Sequence, residues 1–417
     1  MSSSCRNLYA VLGAGALLGL APRAHAQNWQ ILPRIEGGGT YNDNYRMATP
    51  PTANTAVYGP YIDAQLDFGL ISQRSKLDFV PRVHATYFPS DTADQSTDEY
   101  LYLTGEHTGL RSDLKGLAQW SDESVIYSEL IPAAFPGVGL GQKGVGEYGR
   151  VGVRNRRRME RVAPEYIFDF TQRTHLDLKA QYQRFSFSQS LFQQVGYTDY
   201  SGHAGVLFDL TPQSTFSVTG VGSRFLPQRG GHDANRYGVD FEWRQARSQV
   251  MTTYLRAGLN RLNSNTVIGT VSTTGFTGGA GVEWRYQITE VVLDVLRNYS
   301  PSSAGAELVS DEARFRVLHA FEPRLSGYFA ARAVRMRGAS SRAGLAISGE
   351  DYLAGELGMQ YQLTLNSRIA VTYDYTWQRF QTEPSAASNA IAVAFVYQPL
   401  SRYQPLPEFT GIPQQEP

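Results

Sequence analysis

Short segments in which apolar and polar side chains strictly alternate recur along this chain from Trp29 to about Tyr397. Leu77, Phe79, Pro81, Val83, Ala85 and Tyr87 share one parity; Lys76, Asp78, Arg82, His84 and Thr86 share the other. Near the end, Ile369, Val371, Tyr373, Tyr375 and Trp377 alternate with Ala370, Thr372, Asp374, Thr376 and Gln378. A period of two places the two sets on opposite faces of a strand. One face is apolar with aromatic ends, and the other is polar or charged. A sandwich would turn the apolar face into a core, whereas a transmembrane barrel turns it toward lipid and its polar face toward a lumen.

The pattern predicts a single strand at 31–41, eight pairs and a closing strand at 388–398. The pairs are 60–71 with 75–88, 98–109 with 114–124, 160–170 with 175–186 and 199–210 with 215–226. They continue as 236–245 with 249–260, 274–286 with 290–298, 311–321 with 325–336 and 351–363 with 367–380. Tight polar turns join the members of a pair, among them Ser72-Gln73-Arg74-Ser75, Thr171-Gln172-Arg173-Thr174 and Thr364-Leu365-Asn366-Ser367. The expectation is an all-β antiparallel transmembrane barrel of about eighteen strands, with sixteen the alternative because sequence boundaries slip by a few residues. An even count puts both termini on the short-turn side, which in outer-membrane barrels is the periplasm.

The N-terminus fits that destination. Arg6 precedes an apolar run from Leu8 to Leu20, and Ala24-His25-Ala26 supplies a small-x-small cleavage pattern. Residues 1–26 therefore read as a secretory signal peptide, too short for an ordinary membrane helix. Residues 27–399 are the expected barrel, and 400–417 a Pro-rich periplasmic tail. The single cysteine, Cys5, falls inside the signal peptide, so the mature chain has no disulfide and no thiolate metal site.

Composition sharpens the picture. With 25 Tyr and 20 Phe the chain is rich enough in aromatics for two interfacial girdles. The mean hydropathy of −0.32 and the lack of a long uncharged apolar run leave a closed sheet as the way into a bilayer. Acidic and basic residues balance at 38 each, and loss of Arg6 and Arg23 leaves 36 basic against 38 acidic. Global charge thus predicts no nucleic-acid partner. Only Lys76, Lys115, Lys143 and Lys179 are lysines. The Arg bias fits either a GC-rich coding sequence or a path of planar guanidinium groups for carboxylates or sugars.

The longest insertion, about 128–158, is Gly-rich and then basic. A loop of that length either folds into the lumen or covers its mouth. Where it re-enters a strand it carries Arg154, Arg156, Arg157, Arg158 and Arg161. These are placed to pair with lipid phosphates outside, with acidic glycan inside, or with water as a rim charge run.

Several segments resemble the β-barrel proteins of bacterial exopolysaccharide and exosortase gene clusters. Trp29, Pro33 and Tyr41-Asn42-Asp43-Asn44 resemble the first strand of that family. Arg297-Asn298-Tyr299-Ser300-Pro301-Ser302-Ser303-Ala304-Gly305 is similar to a late-strand Pro-Ser-rich loop of those proteins. Tyr361 to Thr364, Tyr373-Asp374-Tyr375, Asn389 and Tyr397-Gln398 resemble the closing strands. The resemblance implies an outer-membrane pore for polysaccharide export, working with a periplasmic or inner-membrane export complex. The partners implied are outer-membrane lipids and a polysaccharide. Chain continuation past the last strand departs from barrels that end on a terminal aromatic.

Parity assigns Arg34, Asp63, Asp67, Asp78, Arg82 and His84 to the lumen. Lys179, Asp240, Glu242, Arg244, Glu283 and Arg285 follow, then Arg314, Arg316, Glu356 and Asp374. Mixed charges can exchange hydrogen bonds with sugar hydroxyls, and Arg can pair with uronic carboxylates. The same lining would serve any water-filled barrel. Inward Tyr61, Tyr100, Tyr102 and Tyr254 are candidates for sugar stacking. No enzyme and no cofactor are expected: the histidines His84, His107, His175, His203, His232 and His319 form no His-x-Ser or His-x-x-x-His pattern. A diffusion porin and a non-transporting surface scaffold or adhesin are the alternatives to export.

Overall fold

In a computed structural model, the residues described are 28–49, 56–91, 94–126, 154–189, 194–229, 232–266, 269–338, 349–380 and 384–399. The expected signal peptide, the tail and most of the long insertion lie outside them.

Eighteen strands form one sheet. They are β1 (Asn28–Asn42), β2 (Val57–Ile71), β3 (Ser75–Thr86), β4 (Ser96–Thr108), β5 (Ser112–Ser124) and β6 (Arg156–Thr171). Next come β7 (Thr174–Phe187), β8 (Tyr197–Thr211), β9 (Ser214–Pro227), β10 (Ala234–Ser248), β11 (Met251–Thr266) and β12 (Gly269–Tyr286). The last are β13 (Thr289–Ser302), β14 (Ala306–Glu322), β15 (Leu325–Gly338), β16 (Glu350–Thr364), β17 (Ser367–Phe380) and β18 (Ala386–Tyr397). Each pairs antiparallel with the next, and β1 pairs with both β2 and β18. The sheet is a closed barrel without an edge.

The strands outrun the alternating pattern at the loop end. β14 begins at Ala306 rather than 311, and β11 runs to Thr266 rather than 260. There apolar and polar residues no longer keep to separate faces and the period of two fades, as with Leu262 on β11 and Leu308 and Val309 on β14, while the hydrogen-bonded ladder continues. The other end is made of tight turns, and several share one device. The hydroxyls of Thr171, Thr211, Ser248 and Thr364 each accept a bond from the backbone N–H two residues on. That bond closes the turn locally. Asn28 of β1 faces Ile71, and Tyr397 of β18 faces Ser367, so the first and last strands both reach the turn end.

The outer wall is a continuous apolar band. Ile62, Val83, Phe241, Leu259, Leu293, Leu357, Val371 and Val393 all stand exposed on it. Trp29, Phe170, Phe208, Trp284, Tyr286 and Phe321 ring it at the turn end. Among the described strands, charges on this wall gather at the loop end, where Arg158, Arg184, Arg224, Arg261, Arg297, Arg335 and Arg379 outnumber acidic neighbours such as Asp122, Asp311 and Asp351. At the turn end of the described strands, the turn-proximal Arg247 and Glu322 interrupt the uncharged surface. A soluble protein does not expose so large an apolar surface, and a closed ladder leaves no strand edge to meet lipid.

Arg placed at Val83, Phe241 or Val371 should cost about 2–4 kcal/mol near the membrane midplane. The same change at the inward Thr86, Gln181 or Thr372 should be far milder. The readout is the heat-resistant folded band on electrophoresis, and equal loss in both sets would reject this facing.

Candidate functional site: the lumen and its outer mouth

The inner face of the barrel is a wall of ion pairs. Asp63 on β2 accepts from Arg82 Nη2 at 2.6 Å and lies 3.2 Å from His84 Nδ1, and the Arg82 guanidinium sits over the Tyr100 ring at 5.2 Å. Farther round, Asp294 is held by both Arg314 and Tyr254. Asp240 is held by Arg256 and by Thr277, the latter at 2.8 Å. Arg316 reaches Glu290 at 2.6 Å, Arg285 reaches Glu283 at 2.5 Å, Arg244 reaches Glu242 at 3.1 Å and Arg34 reaches Glu36 at 2.6 Å. Lys179 lies 3.1 Å from Glu165 and 3.1 Å from Asp177. Arg332 is fully buried with its Nε donating to Glu312 at 2.9 Å.

This pairing changes the reading of the lumen arginines. Arg34, Arg82, Arg244, Arg285, Arg314 and Arg316 all line the inner face, yet each already has a carboxylate partner in the wall. A solute carboxylate would have to compete with that partner. Acidic side chains also outnumber basic ones on the inner face of the described strands. Asp67 lies between the opposed charges of Lys76 and Asp78, and Asp374 faces the like charge of Glu356. Glu356 stands directly across from Asp374 in the β16–β17 ladder and is bonded by Tyr328. The four tyrosines proposed for sugar stacking face inward, but Tyr61 is bonded to Glu36 at 2.9 Å and Tyr254 to Asp294. Their hydroxyls are part of the wall.

The basic stretch at the start of β6 is not one cluster. Alternation sends Arg157 inward, where it pairs with Glu123 at 3.0 Å and covers the Phe185 ring at 5.1 Å. Arg161 is also inward and donates to Gln181 at 2.9 Å. Arg156 and Arg158 face outward, both on Asp122. Arg154 lies beyond the strand, and together with Arg46 it clamps Asp91 and Asp94. Burial pushes the Asp94 carboxyl above its ordinary range, against the pull of Arg46.

The outer mouth holds the feature that the sequence reading missed. The tip of the β13–β14 hairpin folds in across the opening, and Gly305 at the tip takes a positive φ of 82°. Val195 N–H donates to the Ser303 carbonyl at 2.8 Å, and His232 N–H to the Gly305 carbonyl at 3.1 Å. Val195 precedes β8 and His232 precedes β10, so the hairpin crosses the rim rather than following it. Beneath it Tyr299 packs into a buried apolar cluster of Met159, Phe185, Tyr197, Phe225, Ala234 and Leu262. Arg236 covers the Tyr299 ring at 5.5 Å. A second buried cluster, Tyr45, Met47, Val57, Phe88, Ile126 and Ala386, sits on the other side of the mouth. The signal was present as broken alternation: Phe185, Tyr197, Phe225 and Leu262 put large apolar groups on the lumen parity, near the loop end of their strands.

No family model and no curated protein sequence matches the chain. Similar solved structures include Pseudomonas aeruginosa OccK2 (OpdF) in complex with glucuronate, at 9% identity and a TM-score of 0.47, with 89% of this chain and 99% of that one covered. The outer membrane channel DcaP of Acinetobacter baumannii is similar at 12% identity and a TM-score of 0.45, with 91% and 99% covered. The outer membrane protein OpdK of Pseudomonas aeruginosa is similar at 10% identity and a TM-score of 0.46, with 88% and 99% covered. The fold assignment rests on the closed ladder of this chain itself.

Tyr299→Ala should leave a cavity in the mouth cluster and loosen the hairpin, because the ring is one of the large side chains buried there. Single-channel recording in a planar bilayer should then show a larger or noisier conductance than the wild type. An unchanged trace would show that the hairpin does not narrow the path.

Proposed function

We propose that this chain is a non-enzymatic outer-membrane diffusion channel for small hydrophilic solutes, admitting neutral and cationic ones more readily than anions. The observation that carries the reading is the inner wall: most of its arginines, Arg82, Arg256, Arg314 and Arg316 among them, are held by carboxylates, and acidic side chains outnumber basic ones on the inner face of the described strands. An eighteen-strand barrel is wide enough for an aqueous path, and carboxylate-rich linings favour cations. The apolar outer wall with an aromatic ring at the turn end suits the outer membrane.

Export of a sugar polymer is the second reading. It is supported by the resemblance of the Arg297–Gly305 segment, the same segment that bends across the mouth. For a polymer to pass, that hairpin would have to swing aside, whereas a small solute would need far less room. In the export reading the partners would be the polysaccharide and a periplasmic or inner-membrane synthesis complex.

Reconstituted in a planar bilayer under a potassium chloride gradient, the barrel should give a reversal potential of the sign that marks potassium preference. Asp67→Asn with Asp374→Asn should move it toward zero, and a chloride preference in the wild type would reject the reading. In cells, deletion should slow entry of small polar solutes and leave surface polysaccharide intact. Loss of surface polysaccharide with unchanged solute entry would favour export instead. Cysteines at Ser112, Ser214 and Ser367 should stay unlabelled on intact cells, while one at Ser272 should label; the reverse pattern would invert the orientation.

A further inference from the structure

Charge on the outer wall is lopsided, and one stretch of it is ordered. Across β13 to β17, Arg297, Asp311, Arg335, Asp351 and Arg379 stand in a row, each the direct cross-strand neighbour of the next. All five are on the outward parity, at the loop end of the apolar band. Arg297 Nη1 donates to Asp311 at 3.0 Å. Asp351 accepts from Arg335 Nε at 2.7 Å and from Arg379 Nη2 at 2.5 Å. Arg337 stands exposed two residues beyond Arg335.

We propose that this row is a binding site for the phosphate groups of an anionic glycolipid in the outer leaflet. Four guanidinium groups share two carboxylates, so the row keeps a net positive charge. A guanidinium offers five N–H donors, and the aspartates use one or two of each. The side chains of Arg335 and Arg379 remain about half exposed, at 52% and 53%. Planar forks of this kind suit phosphate oxygens. Two of the arginines are pinned against the wall by rings, Arg297 over Phe276 at 4.4 Å and Arg379 over Trp377 at 5.7 Å. Their charge is thereby held at the level where acyl chains give way to headgroups. The aspartates act as spacers that fix the forks and cancel their mutual repulsion. Among the described strands the turn end shows no such row, as expected if only one leaflet carries the phosphorylated lipid. The site is on the lipid side of the wall and is independent of what crosses the lumen.

The test uses the full-length barrel purified in detergent micelles. It is titrated with bisphosphorylated lipid A and, in parallel, with the same lipid stripped of its phosphates, and bound lipid is read by native mass spectrometry. The phosphorylated lipid should bind at least about tenfold more tightly, as expected for a few charge-assisted contacts. The preference should collapse in an Arg335→Gln/Arg379→Gln double variant and persist in Arg247→Gln at the turn end. Equal binding of the two lipids by the wild type would overturn the proposal even if the double variant failed to fold. An undiminished preference in a folded double variant would overturn it as well.

Discussion

The structure depends on one constraint, that a backbone crossing hydrocarbon must pair every N–H and C=O within the protein. Antiparallel pairing of β1 with β18 meets it by removing the last free edge. With the ladder closed, alternation assigns each residue to lipid or lumen, and the rest of the chemistry follows from that division. The apolar band needs no protein partner because lipid supplies one. The lumen face cannot be apolar throughout if water is to fill it.

Charges respond to the division in opposite ways. Inside, where side chains crowd across adjacent strands, Arg and Asp or Glu settle into pairs that satisfy one another, as in Arg82 with Asp63 and Arg314 with Asp294. Breaking one partner of such a buried pair leaves the other uncompensated, which costs more than the pair contributes. The wall is therefore more rigid, and less available to anionic solutes, than a list of inward arginines implies. Outside, on the described strands, the same residue type appears where the band ends, because a guanidinium at the midplane would be stranded in hydrocarbon.

The mouth obeys a different logic. Above the membrane the lumen face no longer has to be wet, and the chain uses the space to build small cores. Tyr299 seats in one of them and ties the β13–β14 hairpin to the segments before β8 and β10. Strand number sets the upper limit on the width of the path, and the hairpin is placed where it can narrow it.

Much of this was legible in the chain. Parity alone placed Asp63, Arg82, Asp240, Glu283 and Asp374 on the inner face and Val83, Phe241 and Val371 on the outer one, because a strand repeats every two residues whatever its neighbours are. Tight turns such as Thr171 to Thr174 were equally readable, since a hydroxyl closing on a backbone N–H two residues away is a local event. What alternation could not supply was partnership. Whether Arg82 faces a solute or Asp63 depends on the register between two strands, and whether Tyr299 points to water or to Phe225 depends on a hairpin crossing the rim. The row from Arg297 to Arg379 likewise exists only once five separate strands are aligned side by side. Sequence by itself determined the faces of this barrel, through a periodicity that each strand carries alone; tertiary structure decided the pairs, the mouth and the outer charge row, because those depend on registers between strands and on contacts far apart in the chain.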